Sequence, residues 1–156
     1  MLLIRTSVGR SQFGGLGLFT AEDVPARTIV WQKHPLNPLT FSEEELQALP
    51  RQARETVLFY GFMDYETGRY QLDIDNARFM NHEEFPNIFS SRNGRDMLAR
   101  VDLPKGTELT INYRRVDKMS SPEEIHRFPH RQFLLDIPDQ FPGRRLVDKD
   151  YEKDWA

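Results

Sequence analysis

Apolar residues fall along the chain in short groups, and ten prolines with nine glycines punctuate them. That texture predicts short strands joined by tight turns, a mainly β fold with short helices. Leu2 to Thr6 reads as a first strand, followed by a glycine-rich turn at Gly14, Gly15 and Gly17. Leu18-Phe19 and Thr28 to Trp31 predict two more strands, divided by the turn Val24-Pro25-Ala26-Arg27. Leu46, Leu49, Ala53, Val57 and Leu58 recur at helical spacing, so residues 42–58 predict a helical insert with one apolar face. Ser42 with Glu45 three residues on forms a capping box at its start, and Pro50 splits the segment in two. Strands are expected again over Leu58 to Tyr65 and Tyr70 to Ile74, around a turn at Thr67-Gly68. Ile88 to Ser91 and Met97 to Val101 flank Asn93-Gly94 and predict a hairpin. The turn Pro104-Lys105-Gly106 leads into an alternating strand, Glu108 to Tyr113. Ser121 and Pro122 open a short helix that Pro129 ends, and Phe133, Phe141, Tyr151 and Trp155 then stand among charges in an irregular tail. The expected organisation is one domain: a body over 1–116 and a tail over 117–156 packed on it.

Composition narrows the chemistry. The chain has 156 residues and no cysteine, which removes disulfides, thiol nucleophiles and thiolate zinc sites. A net charge of -3 argues against direct nucleic-acid binding. No apolar run approaches membrane length, and MLLIRTS has neither the apolar core nor the length of an export signal, so a cytoplasmic location is expected. The acidity is concentrated in the middle, where residues 41–113 hold eight bases and thirteen acids. A solvated loop accounts for that cluster, and so does a field that attracts a basic peptide.

Three segments carry more than scaffolding. Gly14-Gly15-Leu16-Gly17-Leu18-Phe19 lets backbone approach a ligand closely, although a tight turn between strands explains it as well. The stretch Asp75 to Asn87 interleaves polar readers (Asn81, His82, Asn87) with Phe79 and Met80, as in a loop held against a core. Gly106 to Tyr113 ends a strand in an aromatic hydroxyl. No metal site is expected: His82, Glu83 and Glu84 are adjacent, and Pro129 interrupts His126 and His130.

In this order the three segments resemble the SET-domain family of protein lysine methyltransferases, and most of all its small stand-alone bacterial members. GGLGLFTAEDVPARTIV is similar to the family's opening motif, RFMNHEEFPN to its Asn-His signature and KGTELTINY to its closing motif. The resemblance spans residues 2–116. It implies a β-clip-like SET fold with a C-terminal pseudoknot, S-adenosyl-L-methionine as cofactor and a protein or peptide substrate of basic character. Gly15, Leu16 and Gly17 would face the cofactor's amino-acid end, and Asn81 and His82 would hold the cofactor, His82 through its backbone. Phe128 is the first candidate to cover the adenine, with Phe133 and Trp155 behind it. Tyr113 takes the catalytic position, and Glu108, with Arg78-Phe79 and Pro86-Asn87, would hold the crossing. Tyr60, Phe62, Tyr65, Tyr70 and Ile111 are candidates for the lysine channel, with core packing an equal explanation for each of the four aromatics. Three positions depart from the family: Glu83-Glu84 replace Ser-Cys, Ile111 replaces an aromatic, and Trp31-Gln32-Lys33-His34 replaces a strand ending in Glu-Tyr. They leave a second reading, a SET-like protein that binds cofactor or a partner with little or no turnover.

Overall fold

A computed structural model of the chain describes residues 1–91 and 94–136. Asn93 of the expected hairpin turn, and Phe141, Tyr151 and Trp155 of the tail, lie outside the described residues. β1 (Thr6–Arg10) and β2 (Leu16–Thr20) form an antiparallel hairpin from Thr6↔Thr20 to Arg10↔Leu16. Gly14 and Gly15 close it at φ 97° and 67°, a region other residues enter only with strain. β10 (Glu108–Ile111) pairs antiparallel with β2 and, on its other edge, parallel with β7 (Asn81–His82). A second sheet orders β3 (Ile29–Gln32), β9 (Asp96–Ala99) and β8 (Ile88–Ser90). A third orders β4 (Leu39–Phe41), β6 (Tyr70–Leu72) and β5 (Phe62–Met63). The mainly β architecture with short helices is thus the one observed.

The insert forms two helices, α1 (Glu43–Ala48) and α2 (Arg51–Tyr60), parted at Pro50. Ser42 Oγ accepts from the Glu45 amide at 3.1 Å, while Glu45 Oε2 accepts from the Ser42 amide at 2.6 Å. Leu46 and Val57 bury the apolar face against Met63, Tyr70, Met119 and Phe128. A larger core gathers Leu18, Val30, Trp31, Ile88 and Leu109 from the other two sheets with Ala77 and Met80 from the turn before β7.

Four expected boundaries move, each for a local reason. The first regular strand begins at Thr6, while the residues before it pair with β3: Leu2 bridges Trp31, Leu3 N–H donates to Val30 O, and the Leu2 amide donates to Asp75 Oδ2 at 2.7 Å. α2 runs on to Tyr60, where Gly61 N–H closes it on Val57 O, so β5 keeps only two residues. The last strand stops at Ile111, since the Asn112 side chain accepts from the Arg114 amide and starts a helical turn, α3 (Tyr113–Val116). Ser121 caps no helix. Asp117 caps the 3-10 turn Lys118–Ser120 instead, and among the described residues after Pro122 only Ile125–Arg127 and Pro129–Asp136 coil, both as 3-10 turns. Among the described residues no helix is long and apolar enough to cross a membrane.

Candidate active site

β10 delivers Tyr113 to the segment that β7 occupies. Parallel pairing sets Ile111 beside His82, so the next residues of both chains meet. The Tyr113 amide donates to His82 Nδ1 at 3.0 Å, and its hydroxyl donates to Met80 O at 2.8 Å. Both ends of the residue are therefore tied to residues 80–82. Burial pushes the phenol up to about 12, so it stays a neutral donor at physiological pH. His82 moves the other way: burial, and then the nearby Arg114 charge, lower it to about 4. A neutral imidazole that accepts at Nδ1 carries its proton on Nε2. That Nε2 is buried and meets no partner among the described residues. The half-exposed Phe133 ring stands edge-on to the imidazole with centroids 6.3 Å apart.

Asn81 and the glycine turn meet through Glu108. The Asn81 amide nitrogen donates to Ser11 Oγ (3.0 Å), Leu16 O (2.9 Å) and Glu108 Oε1 (2.9 Å), and Ser11 Oγ donates to the same Glu108 oxygen at 2.6 Å. Gly17 belongs to this cluster by necessity, because a Cβ there would stand 2.3 Å from Glu108 Oε1. Its bareness therefore makes room for a carboxylate of the chain itself. Gly15 differs: nothing lies within 4 Å of where its Cβ would be, so open space adjoins the turn. Asn87 holds the other side of β10, donating to Glu108 O (2.8 Å) and accepting from the Thr110 amide (3.0 Å). One side chain thus stands in for a strand at the expected crossing.

Beside Tyr113 lies a cavity of about 260 Å³. Tyr60, Phe62, Tyr65 and Ile111, four of the five channel candidates, line it together with Trp31, Lys33 and Met80. Tyr70 does not. It is 2% exposed in the smaller core, with its hydroxyl donating to Glu43 Oε2 at 2.5 Å, so its aromatic bulk supports the insert from within. Phe128 is likewise a core residue, 5% exposed against Tyr70, and has no face left to cover a ligand. Phe133, from the same tail, is the aromatic that reaches His82. Among the described residues no group of three His, Cys, Asp or Glu side chains is placed to hold a metal ion.

Sequence reasoning missed the buried ion pair at the cavity wall. Arg131 Nη1 meets Asp117 Oδ2 at 2.7 Å, both side chains almost fully buried, and Nη2 donates to Gly61 O at 2.6 Å. The guanidinium carbon lies 5.3 Å from the Tyr113 ring centroid. Asp117 also accepts from the Met63 and Met119 amides. Burial raises the Asp117 carboxyl, and the Arg131 charge opposes that shift. No motif marks either residue, because their meeting depends on how the tail returns.

The SET-domain family model matches residues 15–114. Among solved structures, Chaetomium thermophilum Polycomb Repressive Complex 2 recurs. Its autoinhibited form bound to S-adenosylmethionine aligns at 22% identity and TM-score 0.54, covering 83% of this chain and 17% of that one. The GSK126-bound form gives 23% and 0.56, over 81% and 17%. A third structure of the complex gives 25% and 0.53, over 70% and 15%. The chain therefore spans 15–17% of the length of these relatives. A comparison with curated protein sequences finds no match.

Proposed function

The chain belongs to the SET-domain family, and on that premise we propose that it moves a methyl group from S-adenosyl-L-methionine to the side-chain amine of a lysine in a protein. The observation that carries this reading is Tyr113, a neutral hydroxyl fixed at both ends on the wall of an aromatic cavity.

The residues present fit the cofactor. Open space beside Gly15, the partnerless Nε2 of His82 and the half-exposed Phe133 ring are features an amino-acid end and an adenosine could use. The Leu16 carbonyl and the Asn81 amide are already engaged with each other, so in this reading they shape the site rather than touch its occupant. When bound, the cofactor supplies a methyl group activated on a sulfonium. The chain supplies alignment, since an in-line transfer needs nitrogen and carbon held about 3–3.5 Å apart. It also supplies desolvation. A free lysine amine titrates near 10.4 and must lose its proton to attack, and burial among Tyr60, Phe62 and Trp31 disfavours the cation. The Tyr113 oxygen, its proton directed at Met80 O, keeps lone pairs with which to orient the amine. Acidic and basic side chains both line the cavity, so the basic character proposed for the substrate rests on the acidity of residues 41–113.

Two measurements test the reading. Titration with S-adenosylmethionine in a calorimeter should give heat, and incubation with labelled cofactor and core histones should label lysine. Tyr113→Phe should bind cofactor as wild type does and lose transfer by about 100-fold. An equally active variant removes Tyr113 from the chemistry. Binding without any transfer would favour the SET-like protein with no turnover.

A further inference from the structure

The cavity that holds Tyr113 is also lined by a lysine of the chain itself. Lys33 follows β3 directly, its amide donating to Arg95 O at 2.7 Å, so its stem is anchored in the wall. Its ammonium group is held far less firmly. Nζ lies 3.6 Å from Asp64 Oδ2, beyond good hydrogen-bond length, and its side chain is 40% exposed. Asp64 itself is only 15% exposed, but a long pair whose cation reaches solvent restrains that cation little. The surrounding wall suits a cation that leaves Asp64: Trp31, Tyr60 and Tyr65 line the same space, and aromatic faces attract ammonium groups, methylated or not. An acceptor carried by the chain needs no encounter either, since a tethered group acts at an effective concentration of about millimolar.

We propose that Lys33 is a methyl acceptor in its own chain, a modification site on the wall of the cavity that holds Tyr113. The proposal rests on the methyl-transfer reading above. In the step, the Lys33 ammonium releases a proton to water. The amine lone pair then forms a nitrogen–carbon bond while the sulfur–carbon bond of the sulfonium breaks, leaving S-adenosylhomocysteine and a methylated, still cationic Lys33.

The test uses the whole purified chain with methyl-labelled S-adenosylmethionine and no other acceptor, followed by proteolysis and mass mapping. Label should appear on the peptide containing Lys33, at a rate per molecule that does not change with protein concentration. It should disappear in Lys33→Arg and in Tyr113→Phe. A second measurement requires no turnover. After reductive dimethylation with ¹³C-formaldehyde, the Lys33 resonance, identified by its loss in Lys33→Arg, should shift when S-adenosylhomocysteine is added. Labelled core histones with an unlabelled Lys33, a rate that rises with protein concentration, or a Lys33 resonance indifferent to S-adenosylhomocysteine overturns the Lys33 proposal and leaves the proposed activity standing. A chain that binds no cofactor, or binds it and labels nothing, overturns both.

Discussion

Single residues in this chain are explained by what touches them, and Gly17 and Gly15 show how far neighbours in sequence diverge. Both sit in one motif, yet Gly17 is bare because Glu108 lies against it, while Gly15 is bare because of its positive φ and the open space beside it. Glu108 is poorly placed to yield, since Ser11 and Asn81 both hold its carboxylate. Gly17→Ala should therefore destabilise the fold by about 1–3 kcal/mol, read as a lower urea midpoint. In a Glu108→Ala background the same change should cost measurably less; equal cost in both would refute the contact as the cause. Tyr113 was legible because its motif is long and ordered. Phe128 and Tyr70 were misread for a plain reason: an aromatic in a sequence shows bulk but not whether that bulk faces a core or a cavity.

Elements followed the sequence at most local signals, Ser121-Pro122 being an exception. The capping box, the break at Pro50 and the hairpin closed by glycines all depend on residues a few positions apart. Ser42→Ala should cost about 1 kcal/mol, measured as a loss in unfolding free energy, and should leave methyl transfer unchanged, since α1 contributes nothing to the cavity wall. Elements departed from expectation through both remote and neighbouring contacts. Leu2 bridges Trp31 on β3 while its amide donates to the remote Asp75. Asn112, by capping a turn, converts the end of a strand into a helical start and thereby aims Tyr113 at Met80.

At the scale of the molecule, the Arg131–Asp117 pair joins the tail to the end of α2 and to β5, three pieces of one cavity wall. Asp117→Asn strands a buried guanidinium and should cost about 3–5 kcal/mol in chemical denaturation. Two of the buried titrating groups, His82 and Asp73, bias the pH response in opposite directions. His82 binds its proton near 4 when folded against an ordinary 6.5, so the unfolded chain takes the proton first and stability falls as pH drops from 6.5 toward 4. Asp73 is raised to about 6 by burial and by Asp75, so the folded chain takes that proton first and stability recovers as pH falls through 6 toward 3.8. The two offset each other in the same window. Asp73→Asn should be more stable than wild type at pH 7, by on the order of 1–3 kcal/mol. It should also lose stability more steeply between pH 6.5 and 4.5, which thermal melts at each pH would show. A variant as flat as wild type would mean that Asp73 titrates alike in the folded and unfolded chain. The sequence by itself determined the family, the mainly β texture and the position of Tyr113, because motifs and periodicity are properties of neighbours along the chain. Only the tertiary structure decided which aromatics line the cavity, that Lys33 stands among them, and that Arg131 and Asp117 hold the wall. Those facts depend on burial and on how the tail returns to the body, and no spacing between residues encodes either.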